Sequence, residues 1–176
     1  MVYRFRKVST PVEEFVAKDF LGLDCNGFVG NYYQRVIQGW DWKTANVNKD
    51  PGPTTLMDDL LALGVEVMDP KDLEFDSTYI FVWCDGEGNI KNPHKGVPNS
   101  YGHVMITEPC TLKGSPGNQQ IQVVEATASG KRKLRVSDYT IKSAKHTTVK
   151  GRKAGVFLVD RGDPHPMPVR VSRLRI

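Results

Sequence analysis

The sequence contains few cysteines, no long apolar run and none of the common metal or nucleotide motifs. Its three cysteines form no CxxC pair, so neither a disulfide framework nor a zinc site is predicted. No stretch approaches the ~18 consecutive apolar residues of a membrane-spanning helix, and no apolar signal segment follows Met1. Because HExxH, GxGxxG and GxxxxGK[ST] patterns are also absent, we expect no metal and no cofactor.

Length and composition predict one globular domain covering residues 1–176. A chain of 176 residues can bury a sizeable core without disulfides. Hydrophobic residues make up 39% and charged residues 25%, which is ordinary for a folded protein and does not indicate disorder.

Positive charge is concentrated in the last quarter of the chain. Residues 1–130 carry 11 Lys/Arg and 17 Asp/Glu, a net charge of −6, whereas residues 131–176 carry 13 Lys/Arg and 3 Asp/Glu, a net charge of +10. The basic segment could bind an anionic polymer, such as nucleic acid, an acidic cell-wall glycan or a membrane surface. The favoured interpretation of this segment is a solvated face balanced by acidic residues of the first part of the chain. Because Tyr139 and Phe157 are its only aromatic residues, no specific nucleic-acid partner is expected.

The order of the predicted elements, helices first and strands later, indicates an α+β fold. In such a fold the N-terminal helices pack on one side of a C-terminal antiparallel β-sheet. Apolar periodicity and capping residues predict helices over 9–20, 24–38 and 55–63. Alternating or continuous apolar runs predict strands over 65–68, 79–84, 102–108, 119–126, 132–136, 155–160 and 168–175.

The helix predicted over 24–38 begins with a cysteine. Asp24 is a suitable N-cap, because its carboxylate accepts backbone N–H groups at the helix start. Cys25 then lies in the first turn, where the helix dipole favours a thiolate. A cysteine in an apolar helix is often a core residue, but Asn26 and Gly27 are poor helix-interior residues and suggest a close approach to the backbone. Cys25 is therefore a candidate nucleophile.

Two of the predicted strands carry a histidine and a glutamate. His103, Met105 and Thr107 lie on one face of the first strand, and on the second strand Glu125 shares a face with apolar residues. A buried carboxylate needs a partner, and His103 on a neighbouring strand would supply one. Arg135 is an alternative partner for Glu125, and His94 is the main rival to His103.

Three segments together resemble the NlpC-type cell-wall cysteine peptidases. Asp24-Cys25-Asn26-Gly27-Phe28-Val29 is similar to that family's Asp-Cys-Ser-Gly-aliphatic-Val signature, and Tyr101-Gly102-His103-Val104-Met105-Ile106 is similar to its catalytic-histidine strand. Val123-Val124-Glu125-Ala126-Thr127-Ala128-Ser129-Gly130 is similar to the segment that orients the histidine. The segments follow the family order over about 105 residues. The family usually has His, Asn or Gln where this chain has Glu125, whereas the related CHAP amidases pair Cys and His with Glu.

This resemblance implies a papain-like fold and a Cys25-His103-Glu125 triad that cleaves a peptide or amide bond of peptidoglycan through an acyl-enzyme. The backbone N–H of Cys25 is then the natural oxyanion donor, and Asp24, Asn26 and Tyr101 are further candidates around the reacting carbonyl. The other two cysteines, Cys84 and Cys110, are interpreted as structural.

The resemblance leaves context and alternatives open. It implies a bacterial protein acting at the cell envelope or exported, although no signal peptide is visible, so the localisation stays undetermined. An amidase effector or a phage lysis enzyme would fit the same motifs. A different class of function, a non-catalytic module whose basic segment binds an anionic polymer, is the main alternative.

Overall fold

A computed structural model of the protein describes Val29 and residues 53–62, 64–90, 102–127, 133–162 and 164–174. Val29 is helical. The elements with defined bounds are helix α1, Pro53–Ala62; a single 3-10 turn, Pro70–Asp72; and strands β1, Val65–Glu66; β2, Tyr79–Trp83; β3, Val104–Thr107; β4, Gln119–Thr127; β5, Lys133–Val149; β6, Arg152–Asp160; and β7, Met167–Arg173.

The strands form one antiparallel sheet that closes on itself. Their order is β1-β7-β2-β3-β4-β5-β6, and β6 also pairs with β7. The six strands from β2 to β7 therefore make a closed cylinder. Both β1 and β6 lie along the same edge of β7, β1 next to Ser172 and Arg173 and β6 next to residues 167–170.

Alternation along the strands builds two apolar layers. The inner layer fills the cylinder with large side chains, among them Tyr79, Phe81, Met105, Ile121, Val123, Tyr139, Ile141 and Phe157. The outer layer covers part of the outside surface and joins Val29 and helix α1 to Ile80, Val82, Val104, Ile106 and Val124. Because β2 is buried on both faces, its sequence is a continuous apolar run rather than an alternating one.

Two glycines allow backbone segments to meet. A Cβ atom at Gly64, just after helix α1, would lie 2.3 Å from the carbonyl oxygen of Arg173 in β7. A Cβ atom at Gly155, in β6, would lie 2.7 Å from the carbonyl oxygens of both Val67 and Met68. Glycine is therefore required at both positions, since any side chain would push these segments apart.

The predicted papain-like α+β arrangement, with N-terminal helices packed on a C-terminal sheet, is wrong. The described part of the chain is mainly antiparallel strand, with α1 as its one helix of defined bounds. The main error is β5, which runs over 17 residues where the sequence predicted five. The second half of β5 is mostly polar and exposed and has no apolar alternation, so its strand character comes from pairing with β6. The helix predicted over 9–20 lies outside the described residues, as does all but Val29 of the helix predicted over 24–38.

Candidate active site

His103 and Glu125 meet at one end of the closed sheet. The Nε2 atom of His103 lies 2.9 Å from the Oε2 atom of Glu125. The backbone carbonyl of His103, just before β3, accepts a hydrogen bond of 2.9 Å from the N–H of Trp83. Glu125 lies in β4, which pairs with β3 so that Ile106 is opposite Val124. The contact between these two side chains, predicted from strand alternation, is present.

Glu125 is completely buried and its carboxylate has several partners. Ser137 Oγ donates to Oε1 at 3.4 Å, and the Tyr139 hydroxyl lies 3.3 Å from Oε2. Arg161 places a guanidinium nitrogen 3.6 Å from Oε2. Arg135, the alternative partner considered from the sequence, is opposite Glu125 in the strand register but is exposed. The buried carboxylate is thus surrounded by hydrogen-bond donors and positive charge.

These contacts decide the protonation state of the site. Burial alone would raise the pKa of Glu125, but the hydrogen bond with His103 and the charges of His103 and Arg161 outweigh it and lower the pKa below its ordinary value. Burial first, and then the negative charge of Glu125, raise the pKa of Tyr139. At neutral pH the cluster therefore contains an ionised Glu125 and a protonated, neutral Tyr139.

The contact with Glu125 also selects the tautomer of His103. An ionised carboxylate can only accept hydrogen bonds, so Nε2 carries the proton in this pair. In neutral imidazole the basic lone pair then lies on Nδ1. The ring of Trp83 packs edge-on against the imidazole, with ring centroids 5.3 Å apart and planes inclined by 73°. His103 is thus held in a defined orientation and tautomer, as a general base requires.

Several residues predicted from the sequence lie outside the described part of the chain. They are the proposed nucleophile Cys25, the oxyanion candidates Asp24, Asn26 and Tyr101, and the rival histidine His94. Of the two cysteines interpreted as structural, Cys84 is buried and Cys110 is exposed.

Sequence reasoning missed four residues of this cluster: Trp83, Ser137, Tyr139 and Arg161. Ser137 and Tyr139 are opposite Val123 and Ile121 in the register of β4 and β5. A longer β5 in the sequence interpretation would have placed both on the face that carries Glu125. Arg161 follows β6 in the chain and reaches Glu125 only because the sheet closes.

The basic C-terminal segment is partly neutralised by ion pairs. Lys145 lies 3.2 Å from Glu87 and Lys150 lies 2.8 Å from Asp58, both of which belong to the acidic first part of the chain. Within the described ranges no group of three or more His, Cys, Asp or Glu residues is arranged to hold a metal ion. In the same ranges no helix has the length and apolar character needed to cross a membrane.

Comparison with protein-family models, with curated proteins and with solved structures finds no match for this chain. Interpretation of the site therefore depends on the chemistry of its own side chains and on the motifs in the sequence.

Proposed function

We propose that the protein is a cysteine hydrolase that cleaves a peptide or amide bond, with the stem peptide of bacterial peptidoglycan as its substrate class. The observation that carries this proposal is the 2.9 Å contact between His103 and a fully buried Glu125. These two residues occupy the positions of the catalytic histidine and its orienting residue in the motifs that resemble NlpC-type peptidases. A buried, ionised carboxylate beside an imidazole is the arrangement that fixes a catalytic histidine.

In the proposed reaction Cys25 is the nucleophile. His103 accepts the thiol proton at Nδ1, and the thiolate attacks the carbonyl carbon of the scissile amide. Glu125 stabilises the resulting imidazolium through Nε2–H. The tetrahedral intermediate collapses with cleavage of the C–N bond, and His103 transfers its proton to the leaving amine. Water, deprotonated by His103, then attacks the thioester and releases the acyl group with the thiol restored.

Val29 is the one residue of the cysteine motif that lies within the described part of the chain. Val29 is completely buried in the outer apolar layer, together with Val104, the residue that follows His103 in the chain. Val29, the last residue of the Asp24–Val29 motif, is therefore part of the same apolar layer as the residue that follows His103, whereas Cys25 itself lies outside the described residues.

The alternative of a non-catalytic module binding an anionic polymer has weaker support. Its basic segment forms ion pairs with Glu87, Asp58 and Asp160, which reduce the positive charge available to a polymer.

The test is digestion of purified peptidoglycan by the wild-type protein and by the Cys25→Ala variant. We expect the wild type to release soluble muropeptides, identified by mass spectrometry, and Cys25→Ala to fold normally but release none. Cys110→Ala is the matched control, because Cys110 is an exposed thiol away from His103 and its loss should leave release unchanged. Release by Cys25→Ala at the wild-type rate would exclude the proposed nucleophile.

Thiol labelling gives a second measurement that needs no substrate. A nucleophilic cysteine paired with a histidine ionises well below the ~8.5 of an ordinary thiol. At pH 6, iodoacetamide should therefore modify Cys25 much faster than Cys110, and His103→Ala should remove the difference. Equal labelling of these two cysteines at pH 6 would favour the binding module.

A further inference from the structure

Arg161 contacts both groups that hold the imidazole of His103. One guanidinium nitrogen lies 3.6 Å from Oε2 of Glu125, the oxygen that also contacts His103. The guanidinium carbon lies 5.6 Å from the centroid of the Trp83 ring, which packs edge-on against the imidazole. A planar guanidinium can stack on an aromatic ring and direct its N–H groups at a carboxylate at the same time, a geometry that a compact ammonium group meets less well.

The turn after β6 holds the backbone of Arg161 in place. The N–H of Gly162 donates a 2.8 Å hydrogen bond to the Asp160 carboxylate. Gly162 has a φ of +88°, a conformation that glycine adopts without strain. The Asp160 carboxylate also lies 3.6 Å from Lys142 of β5. The residues on both sides of Arg161 are thus fixed, and its side chain is directed toward the end of the cylinder.

We propose that Arg161 is a positioning residue for His103, a role that rests on the proposed hydrolase function. His103 can act as a base only when it is neutral, and a neutral imidazole gives Glu125 no counter-charge. Arg161 is charged at every accessible pH, so it holds the buried carboxylate ionised in the state from which the reaction starts. It also fixes the Trp83 wall against which the imidazole packs.

Four described side chains surround the carboxylate of Glu125. His103 approaches from the start of β3, Ser137 and Tyr139 from β5, and Arg161 from the turn after β6. The serine and tyrosine hydroxyls are neutral, so among these groups only Arg161 carries a permanent charge. Loss of that charge should leave His103 in contact with a carboxylate that is harder to ionise.

The first test compares Arg161→Gln, Arg161→Lys and the control Arg152→Gln, a change at an exposed arginine of the β5–β6 hairpin. On peptidoglycan fragments we expect Arg161→Gln to lower kcat about 10- to 100-fold with KM within about threefold, because a misplaced base slows the chemical step. Arg161→Lys should recover part of kcat through its charge, and Arg152→Gln should match the wild type. An unchanged kcat in Arg161→Gln would overturn the proposal.

The second test reads the position and charge of the imidazole without any substrate. Removing a positive charge favours the protonated imidazole, so the His103 resonances of Arg161→Gln should titrate at higher pH than those of the wild type, as measured by NMR. In the Glu125→Gln background Arg161→Gln should shift the His103 titration by a different amount, because the carboxylate that contacts both Arg161 and His103 is gone. Wild-type titration in Arg161→Gln would overturn the role of Arg161 even if the protein is not a hydrolase. A shift in titration without any peptidoglycan cleavage by the wild type would instead reject the proposed function and retain the link between Arg161 and His103.

Discussion

Replacing Glu125 by glutamine should destabilise the protein in a way that depends on pH. Glu125 is completely buried and lies 3.6 Å from Arg161. At an effective dielectric constant of about 20, two unit charges at that distance attract by about 5 kcal/mol. Much of this is offset by the cost of removing the charges from water. Glutamine keeps an acceptor for His103 and Arg161 can partly rehydrate, so we expect a loss of about 2 kcal/mol in the free energy of unfolding at pH 7.

The sign of the pH dependence follows from the lowered pKa of Glu125. A carboxylate whose pKa is lower in the folded protein stabilises the fold above the ordinary carboxylate pKa of about 4.3. That contribution is lost as the pH falls through the folded pKa, because the carboxylate is then protonated in both states. The difference in unfolding free energy between wild type and Glu125→Gln should therefore be present at pH 7 and shrink as the pH falls below the ordinary carboxylate pKa.

Urea denaturation between pH 2.5 and 7 measures this difference. With a slope of about 2 kcal/mol per molar urea, a loss of about 2 kcal/mol lowers the midpoint by about 1 M at pH 7. Glu87→Gln is the control, because Glu87 is 74% exposed and its pair with Lys145 should contribute less than about 0.5 kcal/mol. A destabilisation of Glu125→Gln that is equally large at pH 3 and pH 7 would refute the reasoning from charge and point to packing alone.

Two further substitutions test the fold. Gly155→Ala should lower the free energy of unfolding, measured by urea denaturation, by about 2 kcal/mol or more, because its Cβ would lie 2.7 Å from the backbone oxygen of Met68. Gly86→Ala is the control and should be neutral, since a Cβ there would meet nothing within 4 Å. Equal stability of the two variants would contradict the close approach at Gly155. Glu66→Gln should lower the thermal midpoint, with a cost of about 1 to 3 kcal/mol, because the amide oxygen can accept only one of the two hydrogen bonds of 2.7 and 2.9 Å from Arg170 and the ion pair is lost. An unchanged midpoint would mean that water replaces the carboxylate at no cost.

The sheet residues of the candidate site could be predicted because strand geometry is local. Alternation with a period of two places His103 and Met105 on one face and Val104 on the other, and both layers are observed. The same rule puts Glu125 on the inner face of β4. A carboxylate on an apolar face needs a partner wherever the strand lies, so burial predicted a partner for Glu125, with His103 and Arg135 as the candidates.

The extent of β5 and the overall fold could not be predicted in the same way. Residues 142–148 of β5 are mostly exposed, so no apolar pattern marks them as strand, and their backbone hydrogen bonds go to β6. The pairing of β6 with β7 closes the sheet. The order of the predicted elements contained no sign of this closure. It indicated an antiparallel sheet with helices packed on one side, which is wrong for the described part of the chain.

Local sequence was sufficient for the features that depend on one strand and its two faces, including the histidine, the glutamate and the apolar layers on either side of them. Arg161 and Trp83 belong to strand ends far apart in the chain, and they meet only where the closed sheet brings those ends together. Side-chain alternation repeats every two residues and is written in the sequence. Strand pairing joins segments that are far apart in the chain, and which strands pair depends on burial and backbone hydrogen bonding over the whole sheet.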